Sequence, residues 1–147
     1  MLIRGATPAD LSAILQLERT ADAAAHWSEA EYQNIFEAVE PRHLVLVAGD
    51  IGVQAFLVAR VLHPEWELEN IVVAEPIRRR SVATRLIREL QEQARTQKAQ
   101  AIFLEVRQCN AAARSLYESC GFGQVGRRPA YYEDPKEDAV IYKFYFK

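Results

Sequence analysis

The sequence has little cysteine, few histidines and no long apolar run, and each shortage removes a class of function. Two cysteines among 147 residues, Cys109 and Cys120, are too few for a disulfide framework and show no metal-ligand spacing. They are expected to be reduced thiols. Neither has a neighbour that reads as a paired base, so neither is a candidate nucleophile. His26, His43 and His63 are scattered without ligand spacing, and no metal is expected. No apolar stretch approaches the ~18 residues that cross a bilayer, and MLIRGATPAD has no charged segment followed by an apolar run. A cytoplasmic protein is the expectation. An excess of charge is missing too. Eighteen basic and 20 acidic residues leave a net charge of −2. Bulk attraction to nucleic acid or to a membrane is therefore not expected. Repeats, low-complexity tracts and linkers are absent. What remains is one domain over residues 1–147, half of it hydrophobic, with material for a core.

The pattern of that material is α+β. LIRGA (2–6) reads as a short strand. TPAD then offers Thr7 as a helix cap, Pro8 in the first turn and Asp10 in a capping box, ahead of Leu11, Ile14 and Leu15 at helical spacing. SEAE (28–31) opens a second helix, with Tyr32, Ile35, Phe36 and Val39 expected to face inward. Residues 43–62 read as a hairpin whose turn is GDIG. WELENIVV (66–73) is a strand, and a long amphipathic helix runs from Ser81 to about Lys98. AIFLEVR (101–107) is a strand, followed by a helix over 110–120 with Asn110 as N-cap and Gly121 as C-terminal cap. DAVIYKFYFK is a final strand. Early hairpins and late strand–helix–strand units imply a mixed, mostly antiparallel sheet flanked by helices.

Two stretches carry more than packing. In IVVAEPIRRRSVATRLI, a strand runs into a basic loop and then a helix start. Unpaired N–H groups and positive dipole at the helix start, beside Arg78, Arg79 and Arg80, make an anion site; a solvated turn is the plain alternative. In FLEVRQCNAAARSLYESCGF (103–122), alternation puts Phe103, Glu105 and Arg107 on one strand face and Ile102, Leu104 and Val106 on the other. Asn110, Ala113 and Tyr117 share a helical stripe. Read from the residues alone, Glu105 is an ion-paired strand residue, Asn110 a cap and Tyr117 a packing aromatic.

Their order resembles a known family. R-x-x-S-x-A, with Arg78, Ser81 and Ala83, resembles the acetyl-CoA loop of the GNAT superfamily of N-acetyltransferases, [Q/R]-x-x-G-x-[G/A]. E-V-R-x-x-N-x-x-A-x-x-L-Y-x-x-x-G-F resembles the ribosomal-protein-alanine N-acetyltransferase (RimI-type) branch. HWSEAEY, LENIVV and RRPAYYEDPKEDAVIY resemble further segments of that branch, so the likeness spans about residues 26 to 142. It implies acetyl-CoA as cosubstrate. Ile71, Val72 and Val73 would hold the pantetheine, Arg78–Ser81 and Val82, Ala83 and Thr84 the pyrophosphate, and Asn110 the CoA. Glu105 would be the general base and Tyr117 the general acid. Trp27, Tyr131 and Tyr132 would line the acceptor cleft; two aromatic anchors of a solvated turn are the alternative for the last two. The implied acceptor is a protein N-terminus, a ribosomal protein included.

One family glycine is missing. Ser81 stands in its place, and serine suits the loop if φ is negative there.

The residue types fit the chemistry. An α-amino group has a pKa of ~7.7–8.0, against ~10.4 for lysine, so freeing the amine at pH 7 costs roughly 1 and 4.6 kcal/mol respectively. A carboxylate suffices for the easier case. A lysine or small-amine acetyltransferase, and a CoA-binding interaction module with little turnover, are the competing readings.

Overall fold

A computed structural model describes residues 1–21, 27–78, 81–133 and 135–147. Seven strands form one sheet in the order β1-β2-β3-β4-β5-β7-β6. The strands are β1 Leu2–Gly5, β2 Arg42–Gly49, β3 Ala55–Val61, β4 Glu65–Val73, β5 Ala101–Arg107, β6 Gly123–Tyr132 and β7 Glu137–Tyr145. Every neighbouring pair is antiparallel except β4 and β5, which are parallel. The helices are α1 Leu11–Thr20, α2 Glu29–Glu37, α3 Val82–Thr96 and α4 Ala111–Ser119. The expected α+β sheet covered by helices is what forms.

Two apolar layers sandwich the sheet. On one face, Leu86, Ile87 and Leu90 of α3 and Tyr117 of α4 pack with Leu57, Leu68, Leu104 and Tyr142. On the other, Ile14 and Leu15 of α1 and Tyr32 of α2 pack with Val45, Val47, Phe56 and Val72. The helical stripes read from the sequence are therefore the buried ones.

The local caps also form. Ser28 Oγ accepts from Glu31 N–H at 3.2 Å, and Ser28 N–H donates to Glu31 Oε1 at 3.1 Å. Asp10 accepts from Thr7 N–H at 2.9 Å, where a single 3-10 turn leads into α1. Gly121 ends α4 with φ +92, a conformation open to glycine.

Three expectations need correction. Val39 is 81% exposed, because α2 stops at Glu37 and the chain turns before Val39 could reach the core. The tyrosine-bearing tail lies in the ten-residue strand β6, whose pairing with β7 is interrupted between Arg128 and Tyr132, where Ala130 has φ +53. Its residues are mostly exposed, so it lacks the apolar alternation that marks a half-buried strand. Ser81 has φ +62, in the left-handed region, so the condition under which serine would suit the loop, a negative φ, is not met.

Candidate active site

The site begins where two strands part. β4 and β5 pair only over Glu65–Glu67 and Ala101–Phe103. Both continue beyond that point, β4 held by β3 and β5 by β7. The cause lies in β4. Leu68 faces Ala59 and Asn70 faces Val58, so Glu69 is an extra, bulged residue. A bulge bends its strand and raises its twist, which carries β4 away from β5. The result is a wedge. One side is the backbone of 68–73 and the other that of 104–107, and each lacks a ladder partner across the gap. Ile71, Val72 and Val73 lie along its β4 side. Unpaired N–H and C=O groups there suit an extended amide-bearing chain such as pantetheine.

At the wide end of the wedge lies the start of α3. Arg85 N–H donates to Ser81 O at 3.0 Å, and among the described residues the N–H groups of Ser81, Val82, Ala83 and Thr84 have no helical partner. Val82 is buried and contributes only its backbone. Arg78 Nε donates to Val73 O at 3.0 Å, which closes the turn after β4. An array of free amides with positive dipole is what a pyrophosphate needs. Arg79 and Arg80, the rest of the basic triplet, lie outside the described residues, as does His26.

Glu105 sits on β5 two residues beyond the last paired position, on the face covered by α1 and α2. Its side chain is 13% exposed, Oε1 lies 3.6 Å from Arg128 Nη2, and Oε2 is buried without a hydrogen-bond partner. Glu67 is on the same face. Burial pushes its carboxyl up, the charges of Glu69 and Glu105 add to that, and Arg60, bonded at 2.8 Å, opposes it. Glu69 Oε1 approaches His43 Nε2 to 3.0 Å. The α1–α2 face of the sheet beside the wedge thus carries a row of carboxylates, only partly matched by cations among the described residues. Sequence reading missed Glu67 and Glu69; their alternation with Trp66 and Leu68 was the signal.

Tyr117 lies behind β5, in the layer of α3 and α4. Its ring packs against Phe122 and Tyr142 at 6.1 and 6.4 Å. Burial raises the phenol above its ordinary value, with smaller pushes from Tyr132 and Cys120. Tyr132 is pushed up to about 12 by burial first and by the Glu105 charge second. Tyr132 therefore stands within electrostatic reach of both Glu105 and Tyr117. Arg107 stacks over its ring at 4.4 Å, and Arg107 Nη1 meets Glu137 Oε1 at 3.3 Å. Tyr131 is 49% exposed beside Arg128. Asn110 caps α4, with Oδ1 accepting from Ala113 N–H at 3.2 Å. Trp27 packs on Tyr32 at 5.4 Å, on the α1–α2 side. Among the described residues, no group of three or more His, Cys, Asp or Glu could hold a metal ion.

Comparison with known proteins gives one picture. A family model described as the acetyltransferase (GNAT) family matches residues 10–122. The ribosomal protein bS18-alanine N-acetyltransferase of Salmonella typhimurium is 36% identical over 135 residues, 90% of this chain and 88% of that one. The crystal structure of the Escherichia coli ribosomal-protein-S18-alanine N-acetyltransferase superposes with a TM-score of 0.85 at 30% identity, covering 98% of this chain and 92% of that one. Arabidopsis thaliana NAA60, solved in complex with acetyl-CoA, shares the fold at 17% identity, with a TM-score of 0.85 over 99% of this chain and 98% of that one.

Proposed function

The chain belongs to the GNAT family of acetyltransferases, and on that premise we propose that it transfers the acetyl group of acetyl-CoA to the N-terminal α-amino group of a protein, of the ribosomal-protein-alanine type. The observation that carries this reading is the β4–β5 wedge with Glu105 at its closed end and the N-terminus of α3 following β4. The acceptor is named by the likeness to enzymes that acetylate ribosomal protein bS18 at alanine. In this reading, residues 1–147 act as one catalytic domain in the cytoplasm, where ribosomal proteins are made.

Acetyl-CoA supplies a thioester carbonyl for the amine to attack. The backbone amides of Ile71–Val73 and of Ser81–Thr84, with Asn110, hold it in the wedge. The amine arrives from the face of Trp27, Tyr131 and Tyr132. Glu105 takes its proton, directly or through one water. An N–C bond forms as the C–S bond breaks. A strand N–H stabilises the charge that develops on the carbonyl oxygen. Tyr117 serves the departing sulfur. Its raised phenol stays protonated, so it is always ready to donate. Full transfer to a thiolate, whose ordinary value is ~8.5, runs uphill for such a phenol. Its main contribution is then a hydrogen bond to sulfur as charge builds, with the proton passed on as the CoA departs; water then returns a proton to Tyr117 and takes the one on Glu105.

Purified chain, acetyl-CoA and a peptide with the N-terminal sequence of bS18 test this. Thiol release with acetyl placed on the α-amine by mass spectrometry is the expected result. Acetylation of an N-terminally blocked lysine peptide in preference to the free α-amine would overturn it.

A further inference from the structure

Glu18 is a carboxylate that the chemistry above does not use. It sits in the last turn of α1 at 2% exposure. Among the described residues, no cation pairs with it. Donors satisfy it instead. Oε1 accepts from Trp27 N–H at 2.9 Å and from Asn70 Nδ2 at 3.2 Å. Asn70 Nδ2 also donates to Tyr32 OH at 3.0 Å. Burial, and then the Glu18 charge, hold the Tyr32 phenol above its ordinary value, which places that hydroxyl beside the same carboxylate.

Burying a carboxylate without a cation is costly, and a well-packed apolar group of similar size would serve stability as well. What Glu18 gains is a connection. Asn70 is the residue after the bulge that opens the wedge, and its backbone is fixed by the ladder to Val58. Trp27 stands on the acceptor side. One carboxylate oxygen bonds both.

We infer that Glu18 is a positioning residue: by bonding the Trp27 amide and the Asn70 side chain together, it sets the acceptor wall in register with the wedge that takes the thioester. This rests on the acetyl-transfer reading for the roles of wall and wedge. Because β3 holds the β4 backbone independently, breaking the tie frees the wall and leaves the acetyl-CoA cradle in place. The tie therefore acts on acceptor binding.

The test is a double-mutant cycle with Asn70→Asp and Glu18→Gln. Asn70→Asp sets two carboxylates against each other. It is expected to raise the peptide KM about tenfold, while the acetyl-CoA Kd from calorimetry stays within about twofold. Adding Glu18→Gln restores a donor–acceptor pair of reversed direction and is expected to return the peptide KM to within about threefold of the parent. Amide exchange at Trp27, followed by NMR, is expected to quicken in Asn70→Asp and slow again in the double variant. That readout holds whether or not the parent acetylates α-amines, so failure of the tie and failure of the functional reading are separable. If Asn70→Asp does not fold, Asn70→Ala, which removes the side-chain donor and adds no charge, takes its place with the same direction expected. An unchanged peptide KM and Trp27 exchange in a folded variant overturns the proposal. So does an equal rise in peptide KM and acetyl-CoA Kd, which marks a general loss of structure.

Discussion

Glu105 on β5 and Arg128 on β6 stand 3.6 Å apart across the intervening β7, yet the second carboxylate oxygen of Glu105 has no hydrogen-bond partner among the described residues. Arg128 is more than half exposed, so water screens the pair and it contributes little to stability. One carboxylate oxygen is left open, as the role of base proposed for Glu105 requires.

Glu105→Gln keeps the size of the side chain and removes the base. The expected loss in kcat is about 10²–10³-fold, within the usual range for a positioned base. It should be greatest at low pH, where free amine is scarcest, and should narrow towards pH ~8, near the ordinary pKa of an α-amine. Initial rates across pH check this, and a constant ratio between variant and parent would remove Glu105 as base.

Tyr117→Phe should lower kcat and leave the acetyl-CoA Kd unchanged. Burial raises the Tyr117 phenol, so the protonated form persists to higher pH than for a free tyrosine. In the parent enzyme, the rate should therefore not fall as pH passes ~10, the ordinary tyrosine value. A fall there that vanishes in the Phe variant would show a phenol of ordinary acidity.

Ser81→Gly relieves a side chain held at φ +62. Left-handed backbone costs a non-glycine residue roughly 1–2 kcal/mol, and glycine returns part of that through its looser unfolded state. The expected net gain is about 0.5–1 kcal/mol in denaturant unfolding. The acetyl-CoA Kd should fall or hold in calorimetry, since the N–H array keeps its shape. Ser81→Val should lose stability at the same site.

Acid stability depends on Asp10. Hydrogen bonding from Arg4 and then from Thr7 N–H keeps its carboxyl below the ordinary range, against the opposing effect of burial. Its contribution to folding is complete above the unfolded value of ~3.9 and is lost as pH falls through the lower folded value. Arg4→Ala removes the main cause. Acid unfolding, followed by circular dichroism, should then begin at a higher pH than in the parent.

Much of this site was legible in the order of residues. Caps at Ser28 and Asn110, the stripe on α3 and the face of Glu105 all follow from periods of 3.6 and 2.0, which are local. So did the family motifs, because they are written in consecutive positions. β6 was not legible, since its exposed residues alternate nothing; only pairing with β7 makes it a strand. The positive φ of Ser81 has no sign in the sequence, because serine does not ask for it; it is seen only in the folded chain, where Ser81 is the N-cap of α3.

The sequence by itself determined which elements form, which faces they bury and which chemical groups are available. The tertiary structure decided where those groups meet. The parting of β4 from β5 at Glu69 and the bond between Glu18 and Asn70, 52 residues apart, exist only once the sheet is assembled. The reason is physical. A bulge is a mismatch between two strands, and a buried hydrogen bond between distant residues needs packing to exclude water, so neither is a property of any single segment.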